Sequence, residues 1–495
     1  MRPNPAANRA APLLAALAVA ALAWAGGAIR SSHGEVARFP LEHANVGYAL
    51  AEGRGFSDPF GIHSGPTAWV PPGFPLLFAG AIRASAVLGA REAAVIEAVN
   101  LFAAAAAAWL VLAFCLRSWR PASRWLFAAA LAAYFLLDGD FLASTDAVMA
   151  AVLALLLAGL SLCWYGARPA AGLGMTGVAC AILAATHPGL ALAGAAVSVA
   201  VGLAHGRTRF ALVAAAAAGI AAGALPWALR NHAVFGRWIP SKSNGPFELV
   251  LSQNETDDGV LGEAALVAGH PSTNPRLLSE YVRLGETGFL EPYRTQAGRI
   301  LREETGTYAR FCLDRLFNAV CLSRSPSDIE PMAVRPAQAD VPRLVGHRLA
   351  LVCAGTPVLF WAESRSSASG EEAALRKAGI GGVGPLLADW TRAQAALRHR
   401  SRAPATVFWD FAWSGLPSLF VIAAAAAGPR RMALLLVACG AIYLVALVPN
   451  VLITHDVRHQ GNFAVLFAIF AAGAAEAHSR SAAARGPLPA ERPAK

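Results

Sequence analysis

Residues 144–165 read STDAVMAAVLALLLAGLSLCWY, and after Asp146 the run carries no charge through Tyr165. A span needs roughly 20 mostly apolar residues to cross a hydrocarbon core about 30 Å thick. Lipid offers no partner to backbone N–H and C=O groups, so such a run closes its own hydrogen bonds as an α-helix. Working outward, comparable runs lie at 11–29, 93–116, 123–143, 170–186, 188–204, 210–228, 406–427, 432–450 and 461–477, with Asp138 and Asp140 interrupting the far end of 123–143. The 495-residue chain is 56% hydrophobic and 15% charged, with mean hydropathy +0.47, whereas soluble domains average about 25% charged. The expected fold class is therefore an all-α polytopic membrane protein with about ten transmembrane helices.

The formal net charge is +10. On a soluble domain this would raise nucleic acid as a partner. Here the basic residues cluster in short links between apolar runs. The N-terminal tail, the links 117–124, 166–168, 205–209 and 428–431, and the tail after 478 together hold 14 Lys and Arg, whereas the first large loop, 30–92, balances five Arg against five acids. The positive-inside rule then puts both termini in the cytoplasm and the large loops outside. No nucleic-acid partner is expected. Arg2 and Arg9 before an apolar run ending Ala23-Trp24-Ala25-Gly26 also fit a signal peptide. The run is long enough to span, and an uncleaved first span is the expectation. The seven cysteines show no metal-type spacing, and those within spans read as small packing residues.

These patterns divide the chain into an N-terminal membrane module (1–228) with seven spans and a first external loop (30–92), a large external segment (229–405), a C-terminal membrane module with three spans (406–478), and a disordered cytoplasmic tail (479–495). Within the external segment, 278–322 has helical periodicity and 362–405 reads as a flexible insertion. The apolar run 345–361 reads as interfacial, because a single crossing there would invert the charge pattern that follows. There is no internal repeat of the kind that marks many transporters.

The first loop carries the most informative polar residues. It opens with Glu42 on a short amphipathic helix over 42–52, which Gly53 and Gly55 end. It continues as LAEGRGFSDPFG (50–61) and GPTAWVPPGFPLL (65–77), and a second apolar helix is expected over 74–88. Further on come LPWALRNHAVFGRWIPSKSNGPFEL (225–249), HPSTNP (270–275), LGETGFL (284–290) and THDVRHQGNFAVLFAIF (454–470). In order and spacing these segments resemble bacterial GT-C superfamily glycosyltransferases, relatives of the protein mannosyltransferases and of the lipid A aminoarabinose transferase. The resemblance covers most of the chain apart from 325–405. Where many relatives carry an Asp-Glu pair in the first loop, this chain has Glu42.

The resemblance implies transfer of a sugar from a polyprenyl-phosphate donor to a glycan, lipid or protein acceptor at the outer face of a bacterial inner membrane. It implies inversion, with one carboxylate as base. Glu42, just outside the first span, is the candidate base; as a first-turn acid it also suits the helix dipole. Asp146 at the head of its span is a candidate second carboxylate or a helix cap. Asp58 is a third candidate, or a turn former before Pro59. A phosphate leaving group needs cationic donors, and Arg458, Lys242 and Arg230 stand at external ends of spans, where Arg and Lys also anchor to headgroups. Asn244, Glu248 and His270, with Asn254, Asn274 and Glu286, are candidates for acceptor or sugar binding or else solvated loop residues and caps, and Trp69 is a candidate sugar platform or, the preferred reading, part of the interfacial aromatic belt. His187 reads as a polar span end. The sequence specifies no cofactor, and a divalent cation at His455, Asp456 and His459 stays open. A non-catalytic scaffold of the same fold, or a transporter of lipid or polysaccharide, are the competing readings.

Overall fold

A computed structural model describes residues 5–32, 41–137, 145–165, 168–205, 209–254, 269–321, 430–453 and 463–485. Among these residues the chain is mostly helical, without a strand; an isolated bridge joins Ser57 and Pro66. The helices are α1 (Pro5–Ser32), α2 (Leu41–Ala51), α3 (Gly73–Leu88), α4 (Glu92–Leu110, extended by a π turn over Val111–Cys115), α5 (Pro121–Leu137), α6 (Asp146–Tyr165) and α7 (Pro169–Thr186). They continue as α8 (Pro188–His205), α9 (Arg209–Phe235), α10 (Gly245–Asn254), α11 (Pro275–Glu303), α12 (Thr305–Cys321), α13 (Arg430–Leu452) and α14 (Ala464–Arg485).

Among the described residues, five helices are long and apolar enough to cross a membrane: Glu92–Cys115, Asp146–Tyr165, Pro169–Thr186, Phe210–Phe235 and Met432–Pro449. Shorter apolar helices lie at Ala11–Ala25, Gly73–Leu88 and Pro188–Leu203. These identify a membrane protein. The runs expected at 345–361 and 406–427 lie outside the described residues, as do the insertion 362–405 and the tail beyond 485.

The stretch quoted first sits at the bundle's centre. In α6, 78% of the spanning window is buried, against 28% in α9, so α6 is surrounded by other helices and α9 is covered on a smaller part of its surface. Small residues bring neighbours close. A Cβ on Gly223 of α9 would lie 2.2 Å from the Ala181 carbonyl oxygen of α7, and one on Gly219 would lie 2.1 Å from that of Gly177. Backbone approach of this kind is how helices gain packing in lipid, where the hydrophobic effect gives them little. At one end of the bundle, the buried Glu476 of α14 accepts from the Arg120 N–H (3.0 Å), Ser123 Oγ (2.7 Å) and Arg480 Nε (2.8 Å). It thereby places an anion at the start of α5, where the helix dipole favours one.

The other end carries a structured cap. The C-terminus of α9, the joint between α7 and α8, the C-terminus of α13 and the start of α4 all meet it. The helices expected over 42–52 and 74–88 form there as α2 and α3, packed on each other. Gly73 opens α3 hard against α7, where a Cβ would fall 2.4 Å from Thr186 Cγ2. His187 Nδ1 accepts the Leu190 N–H at 3.3 Å and caps α8. Asn274 caps α11, its Oδ1 accepting from Arg276 N (3.1 Å) and Leu277 N (3.4 Å), with Pro275 at the first helical position. The expected helical stretch 278–322 is thus interrupted twice, at Gly285 within α11 and at Glu304 between α11 and α12.

Candidate functional site

The cap is built where the first loop meets the segment after α9. Its apolar heart gathers Val46, Phe60, Trp69, Val70, Phe247, Leu251, Tyr281, Phe289 and Leu290. Trp69 is 1% exposed, with Phe60 (5.1 Å), Phe247 (5.1 Å), His270 (5.7 Å) and Tyr281 (5.9 Å) around its ring. The structure thus places this candidate sugar platform inside the core, as the anchor of the loop.

Within that core lies a polar knot. Gly285 takes φ +68° and breaks α11, a conformation that glycine adopts without penalty. The break turns Glu286, 3% exposed, into the first loop, where it accepts from Thr67 Oγ1 (2.5 Å), the Ala68 N–H (2.8 Å) and Tyr281 Oη (2.9 Å). Burial, and then the Glu286 charge, hold the Tyr281 phenol well above its ordinary pKa, so it stays protonated and donates. Arg230, at the end of α9, donates to the carbonyls of Thr67 (2.6 Å) and Phe56 (2.8 Å) and to Asn231 Oδ1 (2.9 Å). Its guanidinium also lies over the rings of Phe56, Trp227 and Phe235. What the residue does in this geometry is fasten the loop to the bundle.

Asp58 closes the outer part of the loop. It takes φ +61°, unusual for a residue with a side chain. Oδ1 accepts the N–H groups of Ser64 (2.9 Å) and Gly65 (3.0 Å), and Oδ2 pairs with Arg54. His63 Nδ1 lies 3.6 Å from the same carboxylate. A cleft of about 520 Å³ opens beside this turn, lined by Arg54, Phe56, Asp58, His63, Pro66 and Arg230 among others.

Lys242, Asn244 and Glu248 come together at the head of α10. Lys242 Nζ reaches both Glu248 carboxylate oxygens at 2.8 Å, and Asn244 Nδ2 donates to Oε1 at 2.9 Å. Lys242 therefore holds a carboxylate in this structure. Asn244 Oδ1 and the neighbouring Ser243 Oγ are buried without a hydrogen-bond partner among the described residues.

Glu42 stands in the first turn of α2, its side chain 27% exposed, with Oε1 3.6 Å from His270 Nε2. Two residues that the sequence marked separately, in the first loop and in the segment after α9, are thus neighbours. The His270 ring is edge-on to Phe60 (5.6 Å) and Phe247 (5.7 Å). Asp146 opens α6 as a first-turn acid. Arg458, and with it His455, Asp456 and His459, lies outside the described residues. Among the described residues no three His, Cys, Asp or Glu side chains gather as metal ligands.

Several contributors carried no signal in the sequence. Tyr281 and Thr67 complete the knot. Arg315, fully buried, donates to the Val451 carbonyl (3.0 Å), Ser252 Oγ (3.1 Å) and Gln253 Oε1 (3.1 Å). With Tyr308 on the Leu452 carbonyl (2.9 Å) and Ser252 on that of Ile453 (2.9 Å), it satisfies oxygens that the end of α13 leaves open.

The apolar helices define a helical membrane protein with a structured cap at one end of its bundle. No family model, curated protein or solved structure matches the chain.

Proposed function

We propose that the chain is a membrane glycosyltransferase of GT-C type. It has ten spans in a bacterial inner membrane, with both termini cytoplasmic and the cap outside. It moves a sugar from a polyprenyl-phosphate donor to a glycan, lipid or protein acceptor, with inversion. Glu42 takes the acceptor's proton as the acceptor attacks the anomeric carbon, Asp146 supports the charge, and Arg458 meets the phosphate.

The observation that carries this reading is the contrast in how carboxylates of the cap are engaged. Asp58, Glu248 and Glu286 each accept two or more hydrogen bonds, while Glu42 is part-exposed beside one imidazole at 3.6 Å. A base needs an oxygen that is held but still reachable.

A non-catalytic scaffold of the same fold is the second reading, favoured by the commitment of Arg230 and Lys242 to internal partners. Binding of polyprenyl phosphate to purified protein separates the two. Saturable binding is expected for the wild type, weakened in Arg458→Ala and retained in Glu42→Gln, with sugar transfer lost in the latter. Absence of binding to the wild type removes the donor site and leaves the scaffold.

A further inference from the structure

The His270 imidazole is held at Nδ1, and its Nε2 faces Glu42. Nδ1 lies 2.7 Å from Ser272 Oγ and 3.2 Å from the Ser272 backbone nitrogen. A backbone N–H can only donate, so Nδ1 presents a lone pair, and the Ser272 hydroxyl donates into the same lone pair. In the neutral ring the proton then sits on Nε2, the nitrogen 3.6 Å from Glu42 Oε1.

We infer that His270 is a positioning residue for Glu42: its Nε2–H faces Oε1 at 3.6 Å, too far for a hydrogen bond in this structure, and closes on it when substrate binds, leaving Oε2 to receive the acceptor's proton. This rests on the role of Glu42 proposed above.

Three features support it. The ring is fixed, because Phe60, Trp69 and Phe247 surround it with centroids 5.6–5.7 Å away and the residue is 8% exposed. The backbone that aims it is fixed as well. The His270 carbonyl accepts the N–H groups of Thr273 (3.1 Å) and of Asn274 (2.9 Å), the cap of α11. Finally, His270 is poorly suited to be the base itself, since its one lone pair is turned toward Ser272 and away from Glu42. A carboxylate on the first turn of a short surface helix has free rotamers. Tethering one oxygen converts it into an aimed acceptor, and misplacement by about 1 Å can cost about a hundredfold in rate.

The test combines kinetics with nitrogen spectroscopy. Turnover is read as polyprenyl phosphate released from a panel of synthetic polyprenyl-phosphate pentoses and hexoses. His270→Phe is expected to lower kcat by about ten- to a hundredfold with KM unchanged. His270→Gln, which keeps a donor near the place of Nε2, is expected to recover most of that loss. Equal turnover in wild type and His270→Phe overturns the inference, as does a loss that Gln fails to recover. If Glu42→Gln keeps wild-type turnover, the base assignment fails first; if only Glu42→Gln is impaired, this inference alone fails. Should His270→Phe not fold, ¹⁵N-histidine spectra of the wild type in bilayers still decide. The expected His270 signal has a bare Nδ1 and a protonated Nε2, and the Nε2 resonance shifts in Glu42→Gln. A protonated Nδ1, or no shift, overturns the inference.

Discussion

Two glutamates join the first loop to the segment after α9, from opposite sides. Glu286 reaches from α11 into the loop; it is buried and accepts from three donors at 2.5–2.9 Å. Glu42 reaches from the loop toward the start of α11; it is part-exposed, and its neighbour lies at 3.6 Å. A buried carboxylate carries a desolvation cost of several kcal/mol that only full hydrogen bonding offsets. Glu286 meets that condition, so every donor it holds is structure and none is free for chemistry. Glu42 keeps part of its hydration, which suits the base proposed for it. The same residue type is a fully bonded rivet in one place and a part-exposed side chain in the other.

The largest expected effect falls on the rivet. Glu286→Ala strands Thr67, Tyr281 and the Ala68 amide and should cost about 3 kcal/mol or more, read as a lower unfolding midpoint of the purified protein. Glu42→Gln should invert the pattern. Unfolding should stay within about 0.5 kcal/mol of wild type, as for other surface changes, while transfer drops about 10²- to 10⁴-fold. Equal destabilisation by the two variants would erase the contrast. Tyr281→Phe removes one of the three donors and should cost about 1.5 kcal/mol without changing turnover per folded molecule.

The smallest effect concerns the tie between α2 and α4. Tyr48 donates to Glu92, and this bond raises the phenol's pKa to about 12. Because the folded-state value lies above the ordinary 10.0, the tie is fully present below pH 10 and is lost as pH rises through about 12. Thermal unfolding between those limits should show a slight loss that Tyr48→Phe abolishes.

The sequence announced the bundle because lipid imposes its demand locally: each run must be apolar and helical by itself. Hence 144–165 could be read at sight, and α2 and α3 were expected within a residue of their observed starts. The knot is different. Thr67 and Glu286 lie 219 residues apart, and such a pairing leaves no period behind. Arg230 showed in the sequence only a charge at a helix end, which suits phosphate as well as carbonyls; the folded loop gives it the carbonyls of Phe56 and Thr67. Trp69 showed an aromatic near a membrane boundary, and packing made it core. Asp58 before Pro59 did read as a turn former, and its left-handed backbone and two accepted amides are that turn.

The end of α13 bears on how the chain comes together during synthesis. Tyr308, Arg315 and Ser252 emerge from the ribosome more than a hundred residues before the carbonyls of Val451, Leu452 and Ile453 that they bind. The cap therefore waits, incomplete, until the last helices enter the membrane. A product truncated before Arg430 would expose this unfinished junction to quality-control proteases, so that only full-length chains would accumulate.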